Sequence, residues 1–354
     1  MKGKPYHGSF FLLLAIVKRV QNLTEFTSWE DSLPTKSNIT QEQLSRGKRF
    51  GNFALCTYSA SRETETVKIA EKMGVSPEEV LFVGFKTNNE GLCPKFVVVV
   101  DNETNSIVLA IRGTLSPKDV LLDMVCEETT YLDGFTHKGI LTGARNAWTE
   151  ACTSVVSALN MNPGFSLVIT GHSLGAGVAV LITLELLIGE SKSALPEGTD
   201  VRCIALAPPP VYRENKSIFS RGLPESISDK IEIFINNHDC IPRMSLGSLT
   251  RLLTSMRAVD NLELSVTDQV NILMDKNEEL FAKVVEAIEQ SKQDQFPFLQ
   301  HPGKIFYLKK EKGDQPAYVV IQEESEVFTS RLYLLDDMVK DHRKPSYIEA
   351  LRLM

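Results

Sequence analysis

The sequence predicts an α/β domain built on a mixed, mostly parallel central sheet flanked by helices. Two observations predict it. The first is the succession at residues 166–182: a β-branched run Ser166-Leu167-Val168-Ile169-Thr170, a turn Gly171-His172-Ser173-Leu174-Gly175-Ala176-Gly177, and an apolar stretch Val178-Ala179-Val180-Leu181-Ile182. That order reads as strand, sharp turn, helix, with glycines placed so that the flanking backbones can approach each other. The second is size: 354 residues, 43% of them apolar, suffice for one large core with accessory segments. The expected division is an N-terminal helical segment over residues 1–60, packed on the core or on a membrane, and a main domain over 61–354 carrying an insertion at about 245–300.

Composition excludes several classes. A net charge of −7 argues against a nucleic-acid partner and gives no overall attraction to an anionic membrane, so any membrane contact should be local and apolar. The six cysteines, Cys56, Cys93, Cys126, Cys152, Cys203 and Cys240, have no paired spacing, so neither a metal site nor a disulfide framework is expected. The apolar run from Phe10 to Val17 is too short to cross a bilayer. Lys18-Arg19 follows it at once and no small-x-small cleavage site appears, so a docking helix or interfacial anchor is expected, with secretion as the alternative.

In chain order, a polar stretch (21–40) precedes a helix over 41–58 that should pack on the sheet from outside. A second helix over 64–74 ends at Gly74, and Ser76-Pro77-Glu78-Glu79 reads as a further helix start. Phe96–Val100 and Ile107–Ile111 read as two strands joined by the polar turn Asp101-Asn102-Glu103-Thr104-Asn105. The second strand runs into Arg112-Gly113-Thr114. Residues 115–125 then form a short, apolar-rich helix with Ser116 as N-cap and Pro117 at its first position, a candidate lid. His137-Lys138-Gly139 precedes a helix around 144–159 that returns to the strand at 166.

The turn at 171–175 carries the chemistry. Gly-x-Ser-x-Gly between a strand and a helix is the pattern that holds a nucleophilic serine in a strained, exposed conformation, here Ser173. Leu174 follows at the first turn of the helix, where a free backbone N–H can meet a developing oxyanion. A second donor usually comes from a loop after an earlier strand, which selects Thr114, through its backbone N–H and its hydroxyl. The nucleophile needs a base and the base a carboxylate, arriving in the order Ser, Asp, His. Asp239 lies in the loop after the strand Ile231–Ile235, beside the nucleophile; Asp200 lies at the wrong end of a strand and Asp260 in the insertion. Two histidines follow Asp239. His301 stands at the start of the strand 304–308, far from the catalytic edge, whereas His342 follows the last strands and the apolar stretch Leu332-Tyr333-Leu334-Leu335 and precedes a closing helix. His301, His238 and His172 are read as structural or solvated.

The run Ile111-Arg112-Gly113-Thr114-Leu115-Ser116-Pro117-Lys118-Asp119, the element His137-Lys138-Gly139 and the turn at 171–177 together resemble class 3 lipases, and most of all the sn-1-specific diacylglycerol lipases. The likeness continues through Ala207-Pro208-Pro209-Pro210 and Asp239-Cys240-Ile241-Pro242-Arg243 and covers roughly residues 90–354. It implies an α/β-hydrolase fold and a serine lipase that cleaves glycerolipid esters, most of all diacylglycerol, through an acyl-enzyme and without cofactor or metal. It selects the same Asp239. It places an Asp-His pair late in the chain, matched here by Asp341-His342, so that the catalytic set is Ser173, Asp239 and His342 with oxyanion donors Thr114 and Leu174. Animal members carry transmembrane helices ahead of this domain and this sequence does not, so a cytoplasmic protein held peripherally at a membrane or lipid droplet is expected. A soluble carboxylesterase or thioesterase, or a catalytically silent lipid-binding protein, is the alternative.

The insertion is the most individual part. Ser265 and Asp268 read as the capping pair of one long helix whose Val266, Val270, Leu273, Phe281, Val284 and Ile288 form an apolar stripe opposite Asp268, Lys276, Glu279, Lys283 and Glu286. In diacylglycerol lipases an insertion at this place is a regulatory loop over the active site.

Overall fold

The computed structural model describes residues 7, 9–34, 36–37, 39–59, 65–84, 94–113, 128–189, 191, 194–214, 223–291, 299–311, 317–329 and 332–354. Strands β1 (Val80–Gly84), β2 (Phe96–Asp101), β3 (Ser106–Ile111), β6 (Ser166–His172), β7 (Val201–Leu206), β9 (Ile231–Asn236), β10 (Lys304–Lys310) and β11 (Tyr318–Glu323) form the main sheet, in the order β1-β2-β3-β6-β7-β9-β10-β11. The five central strands from β3 to β10 are parallel and the outer pairings are antiparallel. Strands β4 (Glu128–Tyr131), β5 (Gly134–His137) and β8 (Tyr212–Glu214) make a small antiparallel sheet. A parallel core demands cover on both faces, and β3 and β9 are accordingly buried throughout, while β6, β7 and β10 are buried over most of their length.

The helices used below are α1 (Phe10–Gln21), α2 (Thr27–Ser32), α3 (Gln41–Cys56), α4 (Glu65–Met73), α5 (Lys138–Met161), α6 (Leu174–Ile188), α7 (Leu246–Asp260), α8 (Val266–Leu273), α9 (Glu278–Ser291) and α10 (Lys344–Leu353). α5 and α6 pack on one face of the sheet with Ile107, Leu109, Ile169 and Ile233. α3, α4 and α10 cover the other, against Val108, Val168, Phe234 and Phe306. α3 lies close enough to the sheet that a Cβ on Gly47 would come within 2.5 Å of the Phe234 ring, and one on Gly51 within 2.9 Å of Leu351. Gly47 therefore faces the sheet, and Gly51, one turn on, faces Leu351 of α10 and Leu206 of β7. Thr40 caps this helix reciprocally with Gln43, and Arg49 grips the buried Asp101 with two hydrogen bonds of 3.1 and 2.6 Å.

A third cluster stands apart from the sheet. Leu13, Ile16, Val17 and Val20, spaced as one helical face of α1, pack with Met256, Val259, Ile272, Val284 and Ile288 of the insertion and with Cys240, Ile241 and Met244 of the loop after β9. Among the described residues no helix is long and apolar enough to cross a membrane.

Three expectations are corrected. The insertion does not form one long helix: the chain breaks after Leu273, with Asp275 at φ 61°, and restarts at Glu278. The stripe breaks with it, because Val266 and Val270 are 66% and 43% exposed while α8 turns Gln269 and Ile272 inward. Ser76-Pro77-Glu78-Glu79 has a reciprocal cap but makes a single 3-10 turn, because Val80 begins a strand. For the polar stretch no structure was expected; its residues 22–32 form a π turn and α2, anchored by Phe26 and Trp29. The helix expected around 144–159 begins at Lys138, with the His137 ring as its cap. Ser265 does cap α8 through the Asp268 N–H at 3.1 Å. The candidate lid at 115–125, with Cys93 and Cys126, lies outside the described residues; Cys56, Cys152, Cys203 and Cys240 are free thiols.

If α1 is a permanent part of the fold, Ile16→Ala should cost about 2–5 kcal/mol of stability, the usual range for a buried large-to-small change, whereas Phe11→Ala, at an 80% exposed site, should stay within about 0.5 kcal/mol. Denaturant unfolding of the two variants measures the difference; equal midpoints would show that α1 is not docked.

Candidate active site

Ser173 sits between β6 and α6 with φ 59° and ψ −131°, a conformation that a side-chain-bearing residue adopts only under constraint. The constraint is the crossing of two backbones. A Cβ on Gly171 would lie 2.4 Å from the Gly175 carbonyl oxygen, and one on Gly175 would lie 2.5 Å from that of Ile111. Only hydrogen at both positions lets α6 start directly over the ends of β3 and β6. The Ser173 N–H donates to the Leu206 carbonyl on β7 at 2.9 Å, which ties the turn to its neighbour. The sequence led to the expectation of an exposed serine, but Ser173 is 1% exposed. The strained turn does lift it off the strand end, yet other parts of the chain close over it.

The two other expected side chains meet it in line. His342 places Nε2 2.9 Å from Ser173 Oγ, and its Nδ1 lies 3.0 Å from both carboxylate oxygens of Asp239. Since a carboxylate can only accept, Nδ1 carries the proton, and Nε2 is left with a lone pair toward the serine hydroxyl. Asp239 is fully buried and satisfied: the Ile241 N–H donates to Oδ1 at 2.9 Å and the Tyr347 hydroxyl to Oδ2 at 2.8 Å. That tyrosine, on α10, also accepts from the Asn236 N–H at 2.9 Å, and burial next to Asp239 raises its pKa well above the phenol value. It therefore stays a neutral donor. Asp341 fastens the His342 loop onto the Asp239 loop, its carboxylate accepting from Asn237 Nδ2 at 2.8 Å and the His238 N–H at 3.2 Å.

The remaining expected residues divide. Leu174 is buried at the N-terminus of α6, where the first N–H groups have no partner within the helix. Thr114 lies outside the described residues, although Gly113 just before it abuts the nucleophile: a Cβ there would stand 3.2 Å from Ser173 Cβ. His301 is buried and does not reach the triad; its Nε2 donates to the Pro242 carbonyl at 2.9 Å. His172 is buried beneath His342, the rings stacked at 5.0 Å, and His238 lies against Phe26 with its Nε2 3.6 Å from Glu30. Of the residues at this site, Tyr58, Tyr347 and Arg243 received no role from the sequence. No local pattern marks Tyr58 or Tyr347: Tyr347 reaches the site from α10 and Tyr58 from the 3-10 turn that follows α3. Arg243 is fully buried with its guanidinium 4.7–5.4 Å from the rings of Phe328, Trp29 and Tyr333, and burial lowers its pKa.

The buried histidines set an acid limit on the fold. Burial pushes the His301 pKa down from 6.5 to about 4, and that of His172 well below 6.5. A histidine that is neutral when folded binds a proton more readily when unfolded, so stability falls as pH drops below 6.5. For His301 alone the loss between pH 7 and pH 5 is about 2 kcal/mol. His301→Gln, which keeps a donor for the Pro242 carbonyl, should flatten the stability profile by about that amount; denaturation at the two pH values in both proteins measures it, and parallel profiles would contradict it.

Comparison with known proteins follows the same geometry. The family described as Lipase (class 3) matches residues 108–248. Diacylglycerol lipase-beta of Mus musculus is 34% identical over 165 residues, which are 44% of this chain and 23% of the mouse protein. Diacylglycerol lipase-alpha of Homo sapiens is 28% identical over 167 residues, again 44% of this chain but 15% of the human protein. The aligned region thus spans less than a quarter of the length of these relatives. Among solved structures, the lipase from Rhizopus microsporus var. chinensis superposes with a TM-score of 0.55 over 88% of this chain and 90% of that one, at 14% identity, a likeness of fold. On these comparisons, residues 108–248 match the class 3 lipase family, and the chain has the α/β-hydrolase fold.

Proposed function

We propose that this protein is a serine lipase that hydrolyses glycerolipid esters, with diacylglycerol as the favoured substrate. The observation that carries the reading is the line Ser173 Oγ, His342 Nε2, His342 Nδ1, Asp239, with contacts of 2.9 and 3.0 Å, on a strained turn at the C-terminal edge of a parallel sheet. Similarity to the two diacylglycerol lipases supports the substrate class.

In this mechanism Ser173 Oγ attacks the ester carbonyl carbon as its proton passes to His342 Nε2. The imidazolium formed is stabilised through Nδ1–H by the Asp239 carboxylate. Negative charge on the former carbonyl oxygen is met by the Leu174 N–H at the start of α6, with Thr114 as the second donor, and the helix N-terminus adds its positive end. Collapse breaks the ester C–O bond; His342 Nε2–H protonates the leaving glycerol oxygen, and the acyl group stays on Ser173. Water then attacks the acyl carbonyl, giving its proton to Nε2, and the fatty acid leaves as the serine hydroxyl is restored.

Because Ser173 is 1% exposed, the described conformation is closed, and a long acyl chain reaches it only after the covering segments move. The insertion packs against the loop that carries Asp239, which makes it a candidate for that movement. Membrane association is proposed as peripheral, through apolar surface such as Phe11 on α1 and Val266 on α8, 80% and 66% exposed.

Purified protein offered mono-, di- and triacylglycerol in emulsion should release fatty acid fastest from diacylglycerol. Ser173→Ala and His342→Ala should each lower turnover by at least about three orders of magnitude, while His301→Gln keeps most of it. A chain that hydrolyses none of the three, or one whose His342→Ala variant stays active while His301→Gln is dead, sinks the assignment.

A further inference from the structure

Behind the triad lies a second hydrogen-bonded line. His172, the last residue of β6, places Nε2 3.1 Å from the main-chain carbonyl oxygen of His342 and Nδ1 2.9 Å from the Tyr58 hydroxyl. The direction of every proton follows. A carbonyl only accepts, so Nε2 carries the hydrogen. The ring is fully enclosed and stays neutral, so Nδ1 has a lone pair and the Tyr58 O–H donates to it. The phenol oxygen in turn receives the backbone N–H of Gly113. Gly113 approaches so closely that a Cβ would meet the Tyr58 oxygen at 2.4 Å and the His172 carbonyl oxygen at 2.3 Å. Packing holds the line from the sides: Tyr58 and Tyr347 both present ring edges to His172, at 5.7 and 5.2 Å between centroids.

We propose that Tyr58 and His172 are positioning residues for the hydrolysis described above: together they form a bracket that locks the base His342 in register with the loop entering the oxyanion site. The proposal rests on the serine lipase reading and deepens it. One end of the bracket holds the residue immediately before Thr114 and the other holds the main chain of His342. The hydrogen-bond polarity is uniform, from Gly113 N–H through the Tyr58 hydroxyl and the His172 ring to the His342 carbonyl. The Asp239 contacts orient the His342 imidazole, but they do not fix its backbone. That is done from one side by Asp341, whose carbonyl oxygen accepts from Asn236 Nδ2 at 2.9 Å, and from the other by His172. A shift of about 1 Å in a catalytic group can cost about a hundredfold in rate. A bracket joining base and oxyanion loop therefore acts on turnover and leaves substrate affinity alone.

Tyr58→Phe keeps the ring edge and deletes only the hydroxyl. It should lower kcat about tenfold with KM unchanged, and slow labelling of Ser173 by a fluorophosphonate by the same factor. His172→Leu, which cuts both bonds, should lower kcat about a hundredfold, and His172→Gln, whose amide can still donate toward the His342 carbonyl, should recover part of the loss. Adding Tyr58→Phe to His172→Leu should cost nothing more, because the line is already broken. A purely structural role predicts reduced active fraction with normal kcat per labelled site, additive effects and no rescue by Gln; any of these overturns the bracket. If Tyr58→Phe unfolds the chain, the comparison of His172→Gln with His172→Leu decides alone, and equal turnover in the two overturns it. A wild-type protein that neither hydrolyses esters nor takes up the fluorophosphonate overturns the functional reading itself, whereas a reactive wild type with an unchanged Tyr58→Phe overturns only the bracket.

Discussion

The structure depends on one strained backbone. Holding Ser173 at φ 59° and ψ −131° costs on the order of 1–3 kcal/mol, and such a cost persists only where the surroundings over-determine the conformation. Here they do so through neighbouring strands. Ala207 follows β7 and Asn237 follows β9, each at positive φ, and the N–H groups of Ser173, Ala207 and Asn237 reach across to Leu206, Phe234 and Leu308 on the next strand. Three successive strands thus end in the same way, each turning sharply while its first residue beyond the strand borrows a hydrogen bond from the neighbour. The edge so formed is where the nucleophile and the loop of Asp239 emerge. Strain is concentrated at this edge because the parallel ladder behind it is continuous and largely buried.

Much of this was legible in the sequence, and the reason is locality. The turn at 171–177 carries its own evidence, since the glycine spacing, the β-branched run before it and the apolar run after it encode the crossing of backbones that a Cβ would block. Asp239 was legible for a related reason: a loop at the C-terminal end of a buried strand has only one edge of the sheet to face. His342 required more, because no local pattern distinguishes it from His301. The structure brings His342 to the serine and leaves His301 bonded to the Pro242 carbonyl. Ser173's burial was not legible at all, since what covers a residue is settled by distant segments.

The errors share a physical cause. The insertion was read as one amphipathic helix because its apolar residues recur at three- and four-residue steps, but such a count cannot see that Asp275 adopts a left-handed conformation and resets the phase. Ahead of that break, within α8 itself, Val266 and Val270 face outward and Ile272 inward. Residues 22–32 belong to the stretch noted only as polar, and most of their side chains do face water, yet they are helical and docked. Two aromatic residues suffice to hold them: Phe26 meets Tyr333 and His238, and Trp29 meets Tyr307 and Phe328, at centroid distances of 5.2–5.8 Å. Composition weighs all residues alike, whereas docking weighs the few that are buried.

That aromatic layer bears on the site through Arg243. Its guanidinium is fully buried, has no hydrogen-bond partner among the described residues, and stands over the faces of Trp29, Phe328 and Tyr333. A charge so placed loses its hydration and recovers part of that cost from ring quadrupoles, an exchange that works only while all three rings stay in position. The rings come from residues 22–32, from the short helix at 325–329 and from the apolar stretch before His342, whereas Arg243 itself lies four residues beyond Asp239. Segments far apart in sequence are therefore tied to the catalytic loop by a contact that tolerates little displacement. The family match at 108–248 contains Ser173 and Asp239, but His342, Tyr58, Tyr347 and the three ring-bearing segments around Arg243 lie outside it. The α/β core presents half of a site, and the N- and C-terminal layers, packed against that core and each other, complete it.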